Sequence, residues 1–167
     1  MARYRLGFLV ALVVFALDQL TKWIVTGPMG LNQIGDEHVF LPIFSFTVTH
    51  NEGISLGLLN ATNPVGRWML VALTSGIAVG VAVWIGREKN KIDQAALGMV
   101  LGGALGNILD RTLHGYVVDF LDLHFGDFRP FLVFNVGDAA ISIAVVVLLL
   151  RAFLTRKEQT EENIKHA

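Results

Sequence analysis

The stretch FLVFNVGDAAISIAVVVLLL, residues 131–150, decides the fold. It carries a single charge, Asp138, and ends in an unbroken apolar run over 143–150. A helix rises about 1.5 Å per residue, so a hydrocarbon layer about 30 Å thick asks for about 20 apolar residues, the length found here. Three further stretches approach it: 6–26, charged only at Asp18 and Lys22; 68–86, with no charge; and 92–111. Composition agrees. Of 167 residues 53% are hydrophobic and 16% charged, with a mean hydropathy of +0.57, whereas soluble domains carry about 25% charged residues. The chain reads as one α-helical integral membrane domain, 1–167, with four transmembrane helices and a small β-containing extracytoplasmic domain.

Several function classes fall away at once. The chain has no cysteine, so disulfides, thiolate metal sites and a cysteine nucleophile are excluded. A formal net charge of −1 offers no basic footprint for nucleic acid. Arg3 and Arg5 before the uncharged 6–17 also resemble the start of a secretory signal, but no Ala-x-Ala site follows and Asp18 to Lys22 continues the helix.

Lys and Arg gather on the cytoplasmic side of short membrane loops. Here they lie before the first span (Arg3, Arg5), between the second and third (Arg87, Lys89, Lys91) and after the fourth (Arg151, Arg156, Lys157, Lys165), while the other side has Lys22, Arg67, Arg111 and Arg129. Both termini, the loop 87–91 and the tail 151–167 are therefore expected in the cytoplasm, and segments 27–66 and 112–130 outside. In the first outer segment the alternation of 43–49 predicts a strand resting on the membrane. Gly98, Gly102 and Gly106 recur every four residues, as small residues do where helix backbones approach closely; Gly76 and Gly80 are expected to act likewise.

An ionisable group at membrane depth is costly and is a functional candidate by default. Asp138, placed about two turns into the fourth span, is the clearest. Asp119, set in the apolar run from Tyr116 to Leu121, is the best second carboxylate, whereas Asp122 and Asp127 read as solvated loop charges. Two carboxylates within hydrogen-bond reach share a proton near neutral pH, because repulsion and desolvation raise one of them. Such a pair supplies both an acid and a base for attack of water on a peptide carbonyl. Asp18 with Lys22, and Asp110 with Arg111, also read as ion pairs anchoring helix ends. The Arg111 guanidinium can hold carbonyl or phosphate oxygens, and Asn51, in a turn, can bond an extended peptide. His114, Asp119, Asp122 and His124 do not have the spacing of a metal set, and Ser45, Ser55, Ser75 and Ser142 lack a nucleophile turn.

Taken in order, Asp18-Gln19-Leu20-Thr21-Lys22, His50-Asn51-Glu52-Gly53, the run from Gly102 to Arg111, Gly115-Tyr116-Val117-Val118-Asp119-Phe120 and Phe134-Asn135-Val136-Gly137-Asp138 resemble bacterial lipoprotein signal peptidase, or signal peptidase II. The resemblance implies a four-helix aspartic endopeptidase of the bacterial inner membrane. Its substrates are prolipoproteins carrying diacylglycerol on the lipobox cysteine, and it cuts just before that cysteine. It further implies Asp119 and Asp138 as the catalytic dyad, with Asn51, Gly53, Asn107, Arg111 and Asn135 at the substrate site. Asp18, Lys22 and Asp110 would be structural or positioning residues. No cofactor or metal is implied; membrane lipid is the remaining partner and the chain is taken as a monomer. Two positions depart from the family's usual pattern: Leu56, where an aromatic is common, and Gly137, where Ala is common. The rival reading is a small proton-coupled transporter using Asp138, Asp18 and Arg111 as a relay.

Overall fold

The computed structural model describes residues 5–54, 59–60, 64–126 and 128–165. Leu56, Ser55, Asn63, Asp127 and Arg3 lie outside the described residues. Four helices are long and apolar enough to cross a membrane: α1 (Arg5–Thr26), α2 (Pro64–Arg87), α3 (Lys91–Leu113) and the first part of α4 (Val136–Lys165). The strands are β1 (Glu37–Leu41), β2 (Phe44–Asn51), β3 (Gly53–Ile54), β4 (Leu59–Asn60) and β5 (Val117–Leu123).

α3 is the central helix. It packs against the other three, and half of its membrane-length stretch is buried, against about a fifth of each of the others. The cause is its glycines. A Cβ at Gly98 would strike the Gly7 carbonyl, one at Gly102 the Ala11 carbonyl and one at Gly103 the Gly137 carbonyl, so α1 and α4 lie against α3 backbone to backbone. Gly76 and Gly80 do not repeat this: among the described residues nothing lies within 4 Å of a Cβ at either. They face outward on α2, and their four-residue spacing marks no helix contact. Outward faces are apolar throughout, as with Leu12 at 63% and Val79 at 64% exposure, which suits lipid-facing helices whose backbone groups are satisfied internally.

The boundaries differ from the hydropathy reading at both ends of the fourth span. α4 starts at Val136, not at 131, because Phe134 is committed elsewhere: its N–H donates to the Leu121 carbonyl at 3.1 Å and its carbonyl accepts from Leu121 at 2.7 Å. Asn135 then caps the helix. The tail beyond 150 continues as helix to Lys165, in keeping with its Glu, Lys and Gln content. α2 starts four residues before the expected span, at Pro64, a residue whose fixed φ favours the first helical position.

One end of the bundle carries an antiparallel sheet in the order β1-β2-β5. The strand expected over 43–49 is β2, and β5 is a second strand that the sequence did not reveal. Val117, Val118, Asp119 and Phe120 are all buried, so β5 is covered on both faces and lacks alternation. The sheet sits on the end of α1 through a small core of Val25, Val48 and Phe120.

Candidate active site

The site forms where the ends of α1, α3 and α4 meet β2 and β5. Asp138 stands in the first turn of α4, not two turns deep. Its position is fixed by a reciprocal cap: the Asp138 N–H donates to Asn135 Oδ1 at 2.8 Å, and the Asn135 N–H donates to Asp138 Oδ2 at 3.3 Å. This is the capping-box arrangement with Asn and Asp in the paired roles. From α3, Asn107 Nδ2 donates to Asp138 Oδ1 at 2.8 Å.

β5 brings Asp119 alongside. Asn135 Nδ2 donates to Asp119 Oδ1 at 2.6 Å, and Asn51 Nδ2 donates to Asp119 Oδ2 at 3.0 Å. The β2–β5 register sets Thr49 opposite Asp119 and Asn51 opposite Val117, which places Asn51 diagonally across from the carboxylate on the same face. The Asn51 amide is itself oriented by the Gly53 N–H, which donates to its Oδ1 at 3.1 Å; Gly53 has φ of 128°, a conformation open to glycine. Burial, followed by the charge of Asp138, pushes the Asp119 carboxyl up to about 7 despite the two amide donors. Asp119 therefore keeps a proton available near neutral pH.

Beneath the pair lies a buried polar network. Lys22 Nζ meets Asp18 Oδ2 at 2.7 Å, Asp110 Oδ2 at 2.8 Å and Asn107 Oδ1 at 3.4 Å, a full set of partners for one ammonium. Both carboxylates also reach backbone next to the dyad: Asp18 Oδ1 accepts from the Gly137 N–H at 2.9 Å, and Asp110 Oδ2 from the Val118 N–H at 3.2 Å. The residues preceding Asp138 and Asp119 are thus each held by a buried carboxylate, and Lys22 joins the two. Gln19, whose part the sequence reading missed, donates to Asp110 at 2.9 Å and to Asp18 at 3.2 Å. Its signal was available, being an amide beside Asp18 within an apolar span.

The remaining candidates divide. Half-buried Arg111 lies in the field of Asp138, Asp119 and Asp110, and among the described residues its buried Nε has no hydrogen-bond partner. Four carboxyl groups (Asp18, Asp110, Asp119, Asp138) thus face two basic side chains (Lys22, Arg111). Asp119 and Arg111 open on a cleft of about 750 Å³ bounded by Thr49 to Gly53 and by Leu70 and Thr74 of α2. At its rim His50 stacks on Tyr116 with ring centroids 3.7 Å apart, and burial holds the imidazole below its ordinary value. Asp122 is no solvated loop charge: it is 1% exposed, accepting from Thr47 at 3.2 Å and from Arg129 Nε at 3.1 Å. His124 lies near Ser45 and His114 near Tyr116, so these histidines do not join Asp119 and Asp122. Among the described residues no three His, Asp or Glu converge as a metal would require.

Comparison with known proteins gives the family. The family model described as signal peptidase (SPase) II matches residues 10–154. A lipoprotein signal peptidase of Rhizorhabdus wittichii is 52% identical over 160 residues, covering 95% of this chain and 92% of the relative. One from Sphingopyxis alaskensis is 48% identical over 161 residues, covering 96% and 92%. A solved bacterial membrane enzyme superposes with a TM-score of 0.76 at 29% identity, over 92% of this chain and 90% of its own.

Proposed function

The chain belongs to the signal peptidase II family, an aspartic peptidase family whose reaction is removal of the signal peptide from prolipoproteins, and we propose that Asp119 and Asp138 are the dyad that performs it. One observation carries the assignment: the Asn135 residue fastens both carboxylates, bonding Asp119 through its side-chain amide and Asp138 through its backbone N–H. A residue that ties two acids together across the join of β5 and α4 has no purpose in packing alone. The transporter reading gains nothing from the comparisons. The core between the two ends of the bundle is formed by Ala11, Ala78, Leu97 and Leu101, through which a proton relay has no stepping stones.

The chemistry follows from which carboxyl holds the proton. Asp138, as carboxylate, takes a proton from water as the oxygen attacks the carbonyl carbon of the scissile peptide. Asp119 gives its proton to the carbonyl oxygen, forming a tetrahedral diol. On collapse the C–N bond breaks, the proton on Asp138 passes to the leaving nitrogen, and Asp119 recovers a proton from the diol. Both carboxyls return to their starting states. Arg111 and Asn51, which both line the cleft, bind the peptide backbone on either side of the bond. Asp18, Lys22 and Asp110 position the pair without touching substrate.

The substrate is a prolipoprotein bearing diacylglycerol on the cysteine after the cleavage point, so its acyl chains lie in the same bilayer as the exposed apolar faces of α1, α2 and α4. The basic residues support cytoplasmic termini, and with them a site facing outward in the inner membrane. The test is cleavage by the purified protein in detergent or lipid, with and without diacylglycerol on the substrate. Asp119→Asn and Asp138→Asn should each cut the rate by about 10³-fold or more while melting like wild type, and chelator should have no effect. Substantial turnover in either variant would overturn the dyad.

A further inference from the structure

Asp119 and Asp138 each border a different cavity. Asp119 lines the 750 Å³ cleft. Asp138 lines a separate, mostly apolar pocket of about 330 Å³, formed with Phe131, Phe134, Ala139, Ser142 and Ile143. One side chain, Leu132, belongs to the walls of both. It is also 87% exposed. A single exposed leucine is ordinary; one that separates the two halves of an aspartic dyad, uncovered on both sides, is placed for something that covers it.

Leu132 is not on a free loop. The chain leaves β5 at Leu123 and returns so that Phe134 pairs with Leu121. Between these points Arg129 Nε donates to both oxygens of Asp122, at 3.1 and 3.3 Å. Asp122 is fully enclosed, whereas its Arg129 partner is half exposed, so an otherwise uncompensated buried charge draws the loop down onto the sheet. Leu132 is therefore pinned on either side within a few residues, by Arg129 and by Phe134.

We propose that Leu132 is a specificity-determining residue that divides the site into a peptide compartment on the Asp119 side and an acyl compartment on the Asp138 side, with Arg129 as the residue that positions it. The assignment rests on the peptidase reading above. The cleft, with Asn51, Glu52, Arg111 and Asp119 among its apolar lining, suits an extended peptide, the more apolar pocket suits the chains of a lipid attached to the adjoining cysteine, and the substrate parts around Leu132 at the bond to be cut. The leucine is buried by substrate in both directions, so its contribution lies in binding.

The experiment is steady-state cleavage of a diacylglyceryl-modified prolipoprotein by full-length Leu132→Ala, Arg129→Gln and Arg129→Lys, each with its thermal midpoint in the same detergent. Leu132→Ala should raise KM about tenfold, or about 1.4 kcal/mol, with kcat within about twofold of wild type. Arg129→Gln should do the same, and Arg129→Lys, which keeps a cation for Asp122, should recover most of the loss. An unchanged KM in Leu132→Ala, or a fall in kcat alone, overturns the inference. So does an Arg129→Lys variant no better than Arg129→Gln. If wild type itself leaves the substrate uncut, the peptidase reading fails and this assignment with it; normal wild-type turnover with indifferent variants sinks the partition alone.

Discussion

Replacing Lys22 with Met deletes a cation shared by Asp18, Asp110 and Asn107 at 2.7, 2.8 and 3.4 Å, and leaves two carboxylates, 0% and 3% exposed, facing one another without it. Removing one partner of a buried ion pair costs about 3–5 kcal/mol, most of it from the charge left behind. The lower end applies here. Asp18 keeps the Gly137 N–H and Gln19, and Asp110 keeps the Val118 N–H and Gln19. For a chain of this length, a loss of about 3 kcal/mol lowers the thermal midpoint by about 6–12 °C. Tryptophan fluorescence in detergent reads the transition, because Trp23 adjoins the substituted residue. A second substitution sharpens the test. Asp110→Asn on the Lys22→Met background leaves one buried carboxylate instead of two and should restore about 1 kcal/mol, a coupling of the size expected between touching groups. A Lys22→Met protein that melts within 2 °C or so of wild type with full activity, or a double variant less stable than the single, would refute the network as described.

Two further outcomes follow from the same geometry. The Asp119 carboxyl is raised to about 7 by burial, so the singly protonated dyad persists up to that pH and is lost above it; kcat/KM should fall about tenfold per pH unit beyond it. Asn51 donates to the charged form and opposes the rise, so Asn51→Ala should move that alkaline limb to higher pH; a shift to lower pH would contradict the bond. Among the glycines, a Cβ at Gly103 would strike the Gly137 carbonyl, and one at Gly137 would stand 3.1 Å from Gly103 and Asn135 Oδ1. Gly103→Ala should cost about 1–3 kcal/mol and most of the activity, while Gly137→Ala, helped by about 1 kcal/mol of helix propensity, should melt near wild type; equal damage from both would place the α3–α4 contact elsewhere.

What could be read beforehand divides by the range of the forces involved. The spans were legible because lipid imposes length and apolarity on contiguous residues, and Asp138, Asp119 and the Asp18–Lys22 pair because charges at such depth have few reasons to exist. β5 was not, since a strand covered on both faces shows no alternation. The start of α4 was obscured because residues 131–134 are as apolar as the helix that follows; the Asn135-to-Asp138 spacing held the cap signal, yet counting apolar residues does not see it. Asp122 looked solvated because Thr47 is distant in sequence and Arg129 reads as a surface loop charge. The glycine pairs show the limit most plainly. Gly98 with Gly102 and Gly76 with Gly80 have the same spacing, and only the fold determines that the first pair meets α1 while the second meets lipid.

Gly106 of α3 lies directly against the Asp18 carboxylate, in the space a Cβ would take. Through Asp18 that contact reaches the Gly137 N–H, and through Lys22 and Asp110 it reaches the Val118 N–H. The spacing of Asp119 and Asp138 is thus gauged from a surface that neither touches. Asp18 and Lys22 stand on α1 and Asp110 on α3, so the seating of one helix on the other sets the distance between the two arms.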